Sequence, residues 1–227
     1  TVASYRKAVD IMGVKSDVNI KLLAIPGIRH EQITNKAITA VENRFDAMYI
    51  MDIEERDVDN KVVTGSVQEV GVNNTITAFK DRGLDTSFAA AYFPDVVIRD
   101  PFMGTNVQVP PSVAVLGAFS LNDQVAHPWF APAGTRRGVV DNATSVGYIE
   151  ASTGEFETIS VTESVRDSMH EVKINPITFF SGAGIVNFGN LTKTPSSSAL
   201  DRINVSRLAV YLRSQLDAIA KPFIFEP

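Results

Sequence analysis

The chain has 227 residues, with 21 basic against 26 acidic side chains, a formal net charge of −5, 44% hydrophobic residues, 14 Gly, 11 Pro and no Cys. A charged fraction of 21% with aromatics at 8% argues against a disordered tail, a collagen-like repeat or a coiled coil, and the absent thiols exclude disulfides, thiolate metal sites and a cysteine nucleophile. The negative field repels polyphosphate, no run of five like charges offsets it, and no stretch approaches the ~18 apolar residues of a membrane span. A soluble chain is expected, with no direct nucleic-acid binding and no membrane insertion.

Val2, Tyr5, Val9 and Met12 recur at helical spacing, so the chain opens inside a helix. Residues 18–25 are rich in branched apolar side chains and close on Pro26 and Gly27, which reads as a buried strand ending in a turn. Ile33, Ala37, Val41 and Phe45 mark a second helix, and residues 47–53 a second apolar strand. Strand, helix and strand in that order make a right-handed βαβ unit with parallel strands. Residues 54–64 read as a charged surface loop, a helix follows over 74–80 with Gly83 as its stop, and the strand content of 60–71 stays open. Residues 88–98 read as a third strand in which Pro94 removes a ladder donor and forces an edge position or a bulge.

Six of the eleven prolines fall between Pro94 and Pro132 and stiffen an irregular segment. Inside it, Ser112 caps a short buried helix carrying Val113, Ala114, Val115, Leu116 and Phe119. Residues 141–157 are polar, 162–171 read as a helix, and residues 177–180 and 185–188 flank Gly182 and Gly184 as a two-strand hairpin. Asn204 caps a last helix with Val205, Leu208, Leu212, Leu216 and Ile219 on its apolar face and Arg207 and Arg213 off it. The expected fold is α/β: a three-layer core with a partly parallel mixed sheet, helices on both faces, and a small β-hairpin region near 179–190. The chain starts inside a helix and stops directly after Phe223, Ile224 and Phe225, which reads as part of a longer polypeptide with a βαβ-type half over 1–100 and a second half over 101–227.

Ligands of open α/β sheets lie at the carboxyl ends of the strands. After the first strand come Pro26, Gly27, Ile28, Arg29 and His30, with neither GxGxxG nor GxxxxGK[ST], so the glycines that cradle phosphates are missing. Asp52, Glu54 and Glu55 with His30 have the residue types of a divalent-metal cluster, but acidic residues after a strand are usually just solvated. His30, His127 and His170 are far apart in sequence, and no GxSxG elbow occurs. No catalytic, cofactor or metal residue is assigned. Arg136 and Arg137 between Gly134 and Gly138 suit a phosphate or a protein contact equally well, and Trp129 and Phe130 read as core or interface anchors.

Two stretches together resemble the tail sheath proteins of contractile bacteriophages and related injection machines. The first runs from Val109, Pro110, Pro111 and Ser112 through Gly117 and Asp123 to Trp129, Ala131, Pro132, Ala133, Gly134, Arg137 and Gly138. The second holds Ile174, Asn175 and Pro176, then Asp201, Arg202, Ile203, Asn204, Val205, Arg207 and Leu208, and runs on to Phe223, Phe225 and Glu226. Relatives carry Arg-Thr before the position of Asp123 and paired arginines after the INV; here Leu121 with Asn122, and Ser206 with Arg207, stand instead. Contacts made by those missing arginines are not carried over.

The resemblance implies a structural subunit that polymerises around a tail tube and contracts to drive it through a host envelope, as part of a virion assembled in the bacterial cytoplasm. It implies other sheath subunits, tube and baseplate proteins as partners, no cofactor and no enzymatic step. Terminal arms that add strands to a neighbour's sheet are expected of such proteins. None is evident here, so the chain alone is expected to be monomeric in dilute solution. Asp123, Arg136, Arg137, Asp201, Arg202 and Arg207 are the candidate contact residues. The alternatives are an α/β enzyme with a site near His30 and Asp52, or a module binding another partner.

Overall fold

A computed structural model describes residues 1–64, 69–141, 143–150 and 152–225. Glu226 of the second motif stretch and part of the open segment 60–71 lie outside the described residues.

Helix α1 (Val2–Gly13) is followed by the short strand β1 (Leu22–Ala24), helix α2 (Glu31–Arg44) and strand β2 (Met48–Asp52). Residues 18–21, expected to be strand, are not: β1 has only three residues. The carbonyl of Val18 instead accepts a 2.7 Å hydrogen bond from the buried guanidinium of Arg44, which also grips Asp46 at 2.9 Å and ties the end of α2 to the end of α1. Helix α3 (Val72–Asp81) then leads to β3 (Ala89–Phe93). The loop before α3 carries two isolated bridges, Arg56 to Val62 and Asp57 to Val70.

The expected third strand is divided. Asp95 follows a cis Phe93–Pro94 bond, and the chain leaves one sheet to enter another as β4 (Val96–Arg99) and β5 (Asn106–Val109). Pro94 therefore marks a change of sheet and not an edge: β3 is the central strand of a sheet ordered β1-β2-β3-β8-β9. Its first four strands run parallel, with Met51 opposite Ala91 and Ala91 opposite Ile174. Strands β8 (Ile174–Phe180) and β9 (Gly184–Asn187) form the expected antiparallel hairpin, which is the end of this main sheet.

Helix α4 (Pro111–Val125) starts from Pro110, because a proline at the first helical position wastes no donor; Ser112 is not its cap. The four-residue helix α5 (Gly134–Arg137) follows, then β6 (Ala143–Ile149) and β7 (Phe156–Thr158). These strands occupy the polar segment 141–157 and complete a second, antiparallel sheet ordered β5-β4-β6-β7. Helix α6 (Glu163–Glu171) is capped by the Thr162 hydroxyl, and α7 (Ile203–Ala220) is preceded by Arg202, not Asn204.

Side chains alternate across the main sheet and build two cores. Tyr49, Met51, Ala91 and Phe93 point to one face, against Ala37 and Val41 of α2, Ile76 and Phe79 of α3 and Met169 of α6. Met48, Ile50, Ala90 and Tyr92 point to the other, against Val115 and Phe119 of α4, Ile203 of α7, and Val96 and Val146 of the second sheet. The expected three layers are present, with the second sheet sharing one outer layer with α4 and α7.

Candidate functional site

The segment between α4 and α5 has no secondary structure of its own, and Pro128 and Pro132 deprive it of donors. Side chains from elsewhere take up its carbonyls instead. Asn122 donates to His127 and Phe130, each at 3.3 Å, Asn204 to Trp129 at 3.4 Å, Arg137 to Ala131 at 3.3 Å, and Asn187 to Pro132 at 2.7 Å. The rings close over the same loop: His127 stacks on Trp129 at 4.5 Å, Trp129 meets Tyr211 of α7 at 5.2 Å, and the Arg137 guanidinium lies 5.0 Å from the Phe130 ring centre. Trp129 and Phe130 thus act in packing. Gly138 closes the segment where only glycine fits, since an added Cβ would stand 2.5 Å from the Asn187 carbonyl oxygen.

The two motif stretches meet here. Arg207 of α7 forms a two-pronged ion pair with Asp123 of α4, at 3.0 and 2.5 Å, while its guanidinium lies 4.9 Å from the Phe119 ring centre. The Arg207 side chain is 6% exposed and that of Asp123 33%. Asp201 is buried; its carboxylate stands 3.4 Å from the exposed Arg202. Arg202 lines a cleft of about 450 Å³ with Gly134, Arg166, His170, Phe188 and Asn190. Arg136, exposed on α5 beside that cleft, forms no ion pair among the described residues. The six candidates therefore separate: Asp123 and Arg207 form a strut inside the fold, Arg202 lines the cleft with Asp201 beside it, and Arg136 and Arg137 stand on α5, where Arg137 is turned to Ala131 and Phe130.

The strand ends near His30 and Asp52 are arranged differently. His30 is exposed, and its Nδ1 caps α2 by accepting from the Gln32 amide at 3.2 Å. Asp52 is buried, and its oxygens accept from the Gly27 amide at 2.9 Å and from the Ser112 amide and hydroxyl, both at 2.8 Å. Ser112 thus serves Asp52. Beside it Arg29 bridges Glu55, at 2.8 Å, and Asp95, whose other oxygen accepts from Gln108 at 2.7 Å. Gln108 in turn accepts from the Ile149 amide at 2.9 Å, so the network fastens the second sheet to the first. Burial, and then the neighbouring Asp95 carboxylate, push the Glu55 carboxyl up to about 7 against the pull of Arg29; burial also raises Asp95. This chemistry is consumed in joining elements. Among the described residues no group of three or more histidines, aspartates and glutamates is placed to hold a metal ion.

Sequence reasoning missed Arg29, Asp95 and Gln108, and the bonding roles of Asn122 and Asn187. The asparagines carried a faint signal, each standing beside a Pro- or Gly-rich stretch that needs side-chain donors.

No family model matches the chain. It is 32% identical over 127 residues to the tail sheath protein of Vibrio phage KVP40, a stretch that is 56% of this chain and 17% of that protein. Against the tail sheath protein of Enterobacteria phage T4 it is 31% identical over 127 residues, 18% of that protein. Among solved structures, the contracted helical sheath of the anti-feeding prophage superposes on 100% of this chain and 52% of its own, with a TM-score of 0.63 and 21% identity. The contracted sheath of an extracellular contractile injection system, PVC, covers 94% of this chain and 51% of its own, with a TM-score of 0.63 and 21% identity. The chain thus has the fold of about half a contractile sheath subunit and is similar in sequence to curated phage tail sheath proteins over less than a fifth of their length.

Proposed function

We propose that this protein is a structural subunit of a contractile phage tail sheath, a component of the virion, and that residues 1–227 form the core of that subunit. The observation that carries the reading is the junction of the two motif stretches at Asp123 and Arg207, within a fold that superposes on contractile sheaths along its whole length. Its partners are other copies of itself, the tail tube and the baseplate, and assembly takes place in the host cytoplasm.

Contraction needs no chemical step in the subunit. It needs a body stiff enough to be moved as a unit and two lattice packings that differ in interface free energy, a small difference per copy that adds along the lattice. The Asp123–Arg207 strut, the Asn-bonded loop and the Arg29 network supply that stiffness. Arg202, on the wall of the cleft, and Arg136 and Arg137, on the α5 helix whose Gly134 also lines it, are the residues of this chain that meet a neighbouring subunit, and Asp201 orients Arg202. The protein performs no enzymatic reaction.

Immunogold labelling of purified virions tests the reading. Gold along the tail shaft between head and baseplate is expected; gold on the capsid, or none on intact particles, contradicts it.

A further inference from the structure

Among the described residues, exposed apolar side chains include two groups at opposite ends of the parallel strands. At one end, the turn joining β4 to β5 presents Phe102, 95% exposed, and Met103, 75% exposed. This turn is held rigid: the Asp100 carboxylate accepts from the amides of Phe102 at 2.8 Å and Met103 at 3.3 Å, and the Asp100 carbonyl accepts from Gly104 at 2.9 Å. At the other end lies the second half of α7. Its buried residues, Ile203, Ser206, Arg207 and Val210, all belong to the first half, whereas Leu216 is 63% and Ile219 61% exposed. The expected apolar face is therefore uncovered beyond Tyr211. It borders a depression of about 480 Å³ lined by Phe45, Arg213, Leu216, Asp217 and Ala220. Arg213 lies over Phe45 and Phe88, which precede β2 and β3, while the Phe102 turn grows out of Asp95, which follows β3.

We propose that the Phe102–Met103 tip of one copy of this chain seats in the Phe45–Leu216 depression of a second copy. One surface is a projecting turn fixed by its own hydrogen bonds, and the other is a shallow, open depression of about 480 Å³. One pair of opposite charges is available, with Arg99 also exposed beside the tip and Lys15, Arg44, Asp46 and Asp217 also lining the depression. Asp100, at the base of the tip, forms no ion pair among the described residues and accepts only from backbone amides. Arg213, on the rim, forms none either: its guanidinium lies over the Phe45 and Phe88 rings and donates to the Phe45 carbonyl at 3.4 Å. Because the two surfaces differ and lie at opposite ends, the contact is head-to-tail, and repeated copies extend a ring or an open filament instead of closing a two-fold dimer. It rests on the sheath reading only in taking the partner to be a second copy.

The chain contains no cysteine, which gives a clean background for cross-linking. Phe102→Cys and Leu216→Cys are made as separate proteins, checked for native circular dichroism, and mixed under mild oxidation at about 1 mM, where contacts of a few kcal/mol are populated. A disulfide-linked heterodimer is expected in the mixture, at least tenfold above a mixture of Phe102→Cys with Phe188→Cys, which probes the other cleft. Phe102→Asp is expected to weaken self-association in sedimentation velocity at least tenfold without lowering the melting temperature. A heterodimer yield no higher than the Phe188→Cys control overturns the proposal, as does Phe102→Cys alone cross-linking equally well, or association indifferent to Phe102→Asp. If gold labels the tail shaft yet this cross-link fails, the contact is refuted and the sheath reading stands.

Discussion

Arg207 and Asp123, 84 residues apart, close a two-pronged ion pair that binds α7 to α4 over the face of Phe119. Truncating one partner leaves the other charge without its mate. For a fully buried pair that costs about 3–5 kcal/mol, and the partial exposure of Asp123 lowers the expectation to about 2 kcal/mol. Asp123→Ala should lose this amount in urea unfolding, and Arg207→Lys a smaller share, because an ammonium cannot span both oxygens. A loss under about 0.5 kcal/mol for both variants would show that the strut does not hold the helices.

Glu55 gives stability a sign that runs against most carboxylates. Its folded affinity for protons is raised from 4.5 to about 7, so between those values the native state holds a proton the unfolded chain has lost. Stability from this group is present below pH 4.5 and is lost as pH rises through about 7. Glu55→Gln should therefore be neutral or slightly destabilising near pH 5 and stabilising near pH 8 relative to the parent, read from melting temperatures. A difference that does not vary with pH would contradict the assignment.

Lys193 works in another window. Its ammonium is buried between the Val172 carbonyl, at 2.5 Å, and the Phe79 ring, 4.3 Å from the centre, and burial pushes its pKa from 10.5 down to about 7. Between those values the unfolded chain binds the extra proton, so stability from this group rises with pH from about 7 and the whole penalty is felt below it. Lys193→Met should raise the melting temperature most below pH 7, and the gain should fade towards pH 10.5. A gain of equal size at all pH values would point to packing alone.

Gly138→Ala should destabilise the chain by about 3 kcal/mol, because none of the atoms a Cβ meets, the Asn187 oxygen at 2.5 Å and the Ala133 Cα and Gly134 nitrogen each at 2.7 Å, belongs to a movable side chain. Chemical denaturation measures this directly. A change under about 1 kcal/mol would show that the 126–138 segment relaxes freely.

Arg136→Glu combined with Arg202→Glu, at native chain length, should leave the fold intact and reduce polymer formation several-fold, scored by pelleting. Unchanged pelleting would remove the cleft from the contact surface.

The βαβ unit, the hairpin and most helices were legible because periods of two and 3.6 follow directly from which face is buried. The second sheet was not. Its strands β5 and β7 are short and half-exposed, so no apolar alternation marks them, and β4 was hidden in continuous apolar sequence with β3. The caps at Ser112 and Asn204 were misplaced for one reason: each polar side chain found a tertiary partner, Asp52 or the Trp129 carbonyl, that outweighed the local one. For the candidate site, the motif strings stand in the sequence, but whether their residues form an internal strut or face a surface cleft depends on which segments meet. Spacing along the chain does not contain that information.

Electron microscopy of the protein expressed at its native chain length shows whether the subunit polymerises and contracts. Long hollow cylinders that become shorter and wider on triggering, with no nucleotide added, are the predicted result. Protein that stays as dispersed particles under all assembly conditions, or cylinders of fixed length and width, would contradict it.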